Sequence, residues 1–136
     1  MDDNYNRMDY SKYRFEQALE NLEEAEILYK NEKYKAATNR AYYSIFHSMK
    51  SVIALDGIDF KKHSGVISYF GKEYINKGII SKELGKMINR AQFYREQSDY
   101  VDFYIISKSD CEEQIKTAKQ LLKEIKSYLK NKGVLV

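Results

Sequence analysis

The sequence contains no proline and only six glycines in 136 residues. Backbone breakers are therefore rare, and the repeated turn chemistry that a sheet needs is missing. Period-2 alternation is missing as well, so the chain reads as all-α. Cysteine occurs once, at Cys111, which excludes an intrachain disulfide framework and suits a reducing compartment. The two histidines, His47 and His63, are too few for the usual zinc or di-iron site of a helical bundle. There is no His-Glu-x-x-His, no paired-cysteine pattern, no P-loop and no dinucleotide glycine fingerprint. Neither a metal nor another cofactor is expected. No apolar run approaches the roughly 20 residues that cross a bilayer. The first residues are acidic and polar, unlike a signal peptide. A cytoplasmic location with no membrane partner is expected. The net charge of +3 and pI near 8.8 are mildly basic, without a dense Lys/Arg block.

What the chain does carry is helical periodicity. Its length suits one domain, with a core from about residue 9 to 131. Residues 1–8 are polar and expected to fray. A first helix follows from about Asp9 to Asn31, with Phe15, Ala18, Leu19, Leu22, Ala25 and Tyr29 as its apolar stripe. A short turn leads to a second helix from Tyr34 to Leu55, stopped by Asp56-Gly57. A third opens at His63 or Ser64 and ends at Gly78. Ser81 is the expected N-cap of a fourth. The segment Arg95–Tyr104 loses clean periodicity and reads as a helix end followed by an aromatic-rich loop. Ser109 and Glu112 form a capping-box pattern for the last helix, whose apolar stripe runs from Cys111 to Leu129. Cys111 lies on that stripe and reads as a small core residue. The expected architecture is an antiparallel, up-and-down bundle of four to five helices.

The second helix holds the most unusual stretch, Asn39-Arg-Ala-Tyr-Tyr-Ser-Ile-Phe-His47. On a wheel of about 100° per residue, Tyr42, Ile45, Phe46, Met49, Val52 and Ile53 share one large apolar side. Arg40 and His47 are seven apart, so they stand two turns apart on nearly one line. Ala36, Ala37, Ser44, Ser51 and Ala54 surround that line. Such a small-residue face predicts close approach of a second backbone, and the same helix of a second copy about a two-fold axis is the expected partner. A guanidinium and an imidazole so placed can grip a phosphate and exchange a proton, as metal-independent RNA cleavage requires. The other reading pairs Arg40 with a carboxylate and makes His47 a hydrogen-bonded core residue. Two readings are likewise open for His63: a phosphate contact at a cleft mouth, or a cap tucked under the Gly57–Phe60 turn. Arg95 and Asp99, four apart, have the spacing of an intrahelical ion pair. Tyr42 falls on the core side, whereas Tyr43 lies near the Arg40–His47 line.

Asn39–His47 resembles the second helix of the HEPN family, and Lys62-His-Ser-Gly-Val66 and Arg95…Asp99-Tyr100 are similar to later motifs of its small stand-alone prokaryotic members. The resemblance spans about Ser11 to Leu129. It implies a bundle of four or five helices, usually a homodimer. It also implies a family with many ribonucleases that carry an Arg-x4–6-His motif at the dimer cleft. Many of these are toxins paired with a minimal nucleotidyltransferase antitoxin, which in some pairs modifies a tyrosine near the motif. Arg40 and His47 match the motif, with Asn39, Tyr43, His63 and Arg95 as candidate contacts for RNA or nucleotide. The residue after the arginine, commonly polar in the ribonucleases, is Ala41 here. The family also includes members that act as non-catalytic binding modules for a nucleotide or a nucleotidyltransferase.

Overall fold

The computed structural model describes residues 3–136, with side chains described from Asn6 onward. Five helices make an all-α bundle: α1 (Asp3–Lys30), α2 (Tyr34–Ile53), α3 (His63–Phe70), α4 (Lys82–Tyr100) and α5 (Lys108–Asn131). A single tight 3-10 turn, Ala54–Asp56, extends α2, and a wider π turn, Gly71–Ile75, extends α3. Among the described residues there is no strand. The first helix begins at Asp3 rather than Asp9, so residues 3–8 are helical, and residues 1 and 2 lie outside the described residues.

The central helix is α2, which packs against all four others. Its large side is buried as the periodicity predicts. Tyr42, Ile45, Phe46, Met49, Val52 and Ile53 join Phe70, Leu84, Ile88, Leu121, Ile125 and Leu129 in the main core. A smaller cluster of Ala25, Ala37, Ala41, Ile106, Cys111 and Ile115 closes the other end, and it contains the single cysteine.

The small-residue face corrects an expectation. Ala37, Ser44 and Ser51 are fully buried and Ala54 nearly so, within one copy of the chain. The backbone that approaches them is that of α1. Ser44 Oγ donates to the Ala18 carbonyl at 2.8 Å. The cause lies in α1, whose buried stripe is also small at Ser11, Ala18 and Ala25. Small residues facing small residues let the two axes close up, so α1 fills the buried part of this face, while Ala36 stays exposed beside Arg40. The stripe follows the spacing 11–15–18–22–25, which leaves Leu19 beside it and exposed rather than within it. The acidic residues Glu16, Glu20, Glu23 and Glu24 point to solvent.

The C-terminal end of α2 is held by a polar knot. Gly57 adopts φ 72°, and the Arg7 guanidinium lies where a Cβ would stand, at 2.5 Å. Asp56 accepts hydroxyl hydrogen bonds from Tyr69 at 2.9 Å and Tyr74 at 2.8 Å. The Tyr74 hydroxyl also lies 3.0 Å from the Val52 carbonyl.

Two capping expectations shift. Ser81 precedes α4, yet its N–H and hydroxyl donate to Glu124 of α5 at 2.9 and 3.0 Å instead of capping its own helix. The cap of α5 is Ser107, whose Oγ accepts from the Asp110 N–H at 3.0 Å. Ser109 is two residues too late, and Glu112 is engaged by the Tyr29 hydroxyl of α1. The helix α4 stays regular through Arg95 to Tyr100, so only 101–107 is a connection. That connection turns at Phe103, which has φ 61° and is 98% exposed, and it leaves Ile105 85% exposed.

Candidate functional site

The second helix carries Arg40 and His47 on its outer edge, but their surroundings differ. Arg40 is exposed and lines an open groove of about 640 Å³ with Asn39, Ser98, Asp99 and the turn before α2. It has no ion-pair partner among the described residues. The first turn of α2 has no acidic residue and no side-chain cap, so its positive end faces the same groove. His47 is half-buried two turns further on, and its Nδ1 lies 3.0 Å from Arg14 Nη1 of α1. Arginine has only donors, so Nδ1 is the acceptor and the neutral ring carries its proton on Nε2. Arg14 is itself held by the Tyr10 hydroxyl, 2.6 Å from Nη2 and 3.1 Å from Nε. Burial, then the charges of Arg14 and Lys50 and a small effect of His63, bring the His47 pKa down to about 4.

His63 opens α3 and lies against α2. Its ring stacks on Phe46 with centroids 4.1 Å apart, and Nδ1 is hydrogen-bonded to the Tyr42 hydroxyl at 3.0 Å. The cap position of α3 is Lys62, and the His63 ring packs on α2 instead. Burial, then Arg95 and Lys50, lower its pKa as well. Burial raises the Tyr42 hydroxyl to about 12, which keeps it neutral. Arg95 covers this pair from α4. Its guanidinium lies 5.1 Å from the Tyr42 ring centre and 5.8 Å from that of Tyr43, and it reaches the Tyr43 hydroxyl at 3.5 Å. Asp99 stands at ion-pair distance, 3.4 Å, but without hydrogen-bond geometry to Nε. Lys50 pairs with Asp59 at 3.0 Å and lies over the Phe46 ring.

The result is two neutral imidazoles among Arg14, Lys50 and Arg95, with Arg40 free on the adjoining groove. A family model described as "HEPN domain" matches residues 11–128, nearly the whole bundle. The chain belongs to the HEPN family. A protein of Thermotoga maritima named "UPF0332 protein" is 32% identical over 120 residues, 88% of this chain and 91% of that one. A protein of Methanocaldococcus jannaschii named "Putative toxin MJ0142" is 38% identical over 120 residues, 88% of this chain and 82% of that one.

Within this HEPN bundle, α2 joins the sequence candidates into one band. Asn39 and Arg40 lie at one end and His47 at the other. Tyr43 lies between them, reached by Arg95 and packed edge-on to His63 at 5.9 Å. Ala41 points the other way, fully buried in the small cluster, so a polar side chain there would face the core. Sequence reasoning missed Arg14 and Tyr10. They lie more than thirty residues before His47 and read as ordinary outer residues of a solvated helix. Their only local signal is the i, i+4 spacing of a tyrosine and an arginine. No group of three or more His, Cys, Asp or Glu gathers as a metal cluster among the described residues. Nor is any described helix long and apolar enough to cross a membrane.

Proposed function

We propose that this HEPN protein is a metal-independent endoribonuclease that acts as the toxin of a pair with a minimal nucleotidyltransferase antitoxin. The observation that carries the reading is the band of Arg40, His47, His63 and Arg95. Cations surround neutral imidazoles there, and few carboxylates compensate them. Such a surface suits a phosphodiester, whose charge it would neutralise and whose transition state it would favour. In the reaction the ribose 2′-oxygen bonds to the adjacent phosphorus while the bond to the 5′-oxygen breaks. A base takes the 2′-OH proton and an acid protonates the leaving oxygen. Arg40 clamps the phosphate and His47 is the proton-exchanging group. Asn39, Tyr43, His63 and Arg95 contact the RNA.

One Arg and one His are too few for every role, and a homodimer that places two α2 outer edges about one cleft supplies a second set. The name of the Methanocaldococcus jannaschii relative supports the toxin reading, and the chain's length and all-α form suit it. The test is cleavage of mixed RNA in EDTA by wild type and His47→Ala, with the mass in solution measured by light scattering. Cleavage by a wild-type dimer and a loss of about 10²–10⁴ in the variant are expected. Full activity in His47→Ala, or a monomeric active species, would overturn the assignment.

A second reading has an observation in its favour. The His47 lone pair at Nδ1 is occupied by Arg14, so the free protein offers no open base. In that reading the same band holds a nucleotide or the nucleotidyltransferase itself, without turnover. Nucleotide binding by a protein that leaves RNA intact would favour it.

A further inference from the structure

Arg14 lies on α1, outside the Asn39–His47 stretch, yet it is the residue hydrogen-bonded to His47. We propose that Arg14 is a positioning residue of the Arg40–His47 site, one that holds His47 in a single tautomer and leaves Nε2–H as its open nitrogen. The inference rests on the reading of Arg40 and His47 as the site.

The argument is one of donors and acceptors. A guanidinium has no lone pair to offer, so a 3.0 Å contact to Nδ1 makes that nitrogen the acceptor. The proton of the neutral ring must then be on Nε2. That nitrogen has no partner among the described residues and is not among the buried unpaired atoms, so it is the side of the ring left for a ligand. Arg14 is not free to drift. The Tyr10 hydroxyl accepts from its Nε and Nη2, which aims Nη1 at His47. The guanidinium also lies 5.1 Å from the centre of the Tyr10 ring.

Every group that shifts the ring's titration lowers it. Arg14 faces it from α1, Lys50 from α2 itself, and His63 from the start of α3. Asp59 is engaged by Lys50 rather than by the ring. The imidazole is thus a neutral donor at physiological pH, suited to meeting a phosphate oxygen through Nε2–H. To accept a proton at Nδ1 it must first lose Arg14. Arg14 therefore decides which proton chemistry His47 is capable of, without touching the substrate in this arrangement.

The test uses the full chain with 15N-labelled histidine and no RNA. In the wild type, nitrogen shifts should report the Nε2–H tautomer of His47 and a titration midpoint near pH 4. Arg14→Leu, which offers no donor, should mix the tautomers and move the midpoint up by about half to one pH unit, burial holding the rest of the shift. Tyr10→Phe, an exposed and conservative change, should shift both in the same direction by less. Unchanged tautomer and midpoint in a folded Arg14→Leu protein would overturn the proposal, as would a wild-type His47 that titrates near its ordinary 6.5. Because RNA is absent, failure of the ribonuclease reading would appear in the cleavage assay and leave these results standing.

Discussion

Two polar networks flank the same helix, and they are built on opposite plans. At the C-terminal end of α2, Asp56 collects the hydroxyls of Tyr69 and Tyr74, and Tyr74 also reaches the Val52 carbonyl. One acceptor is matched by two donors, each a neutral hydroxyl. Along the outer edge, Arg14, Lys50 and Arg95 face two imidazoles whose pKa values are lowered, with Asp59 and Asp99 at the margin. The first network is complete by itself and fastens α3 to α2. The second has donors to spare. A network that folds a protein closes on itself, whereas one that meets an anion keeps an unfilled side.

The sharpest way to break this comparison is to damage the closed network. Tyr74→Ala removes a buried ring and the hydroxyl that joins Asp56 to α2. It should cost about 3–5 kcal/mol by denaturant unfolding. A loss below about 1 kcal/mol would mean that the knot fastens nothing.

The open network should show itself through pH. The folded pKa of His47 is below its unfolded value, so its contribution to stability is full above about 6.5 and fades as pH falls toward about 4. His63 has the same sign. A loss of roughly 1–2 kcal/mol between pH 7 and pH 4.5 is expected from His47, after a discount for its partial exposure. His47→Gln should flatten that part of the curve. If it leaves the curve unchanged, His47 is not held neutral.

A smaller effect separates the two histidines. Tyr42→Phe deletes the hydroxyl bonded to His63 and should cost about 0.5–1.5 kcal/mol. It should leave the His47 titration alone, because that ring's hydrogen-bond partner is Arg14. The smallest effect serves as a baseline. Arg90 and Glu113 form an exposed pair, and Arg90→Ala should change stability by about 0–1 kcal/mol.

Much of the bundle was legible because its helices obey simple periodicity. The second helix was predicted from Tyr34, its large side was assigned to the core, and Gly57 was placed at its end. What failed was local competition between similar signals. Ser107 and Ser109 both precede the last helix. Ser107 caps because its hydroxyl meets the Asp110 N–H, while Glu112 binds Tyr29 across the bundle. The small-residue face was recognised, and its buried part is filled by α1 of the same chain. A stripe of alanine and serine reports that a backbone comes close, and not which one.

Within the candidate site, the placing of Arg40 and His47 on one outer edge of α2 was legible from that helix alone. Their unequal settings were not, since they depend on which residues α1 and α4 bring alongside. The Tyr42–His63 bond and the Arg14–His47 bond each join residues more than twenty positions apart. Wheel geometry ranks residues on one helix, but it has no means of ranking neighbours across two.

The connection before α5 has a practical consequence. Its tip, Phe103, protrudes almost entirely, beside the exposed Tyr100 and Ile105. A protease that cuts after aromatic residues needs such an accessible length of main chain, and the helices on either side deny it. Limited digestion should therefore nick the folded protein first between Tyr100 and Tyr104, dividing it into a piece with α1–α4 and a piece with α5. Because α5 contributes Leu121, Ile125 and Leu129 to the common core, the two pieces should stay together until denaturant parts them.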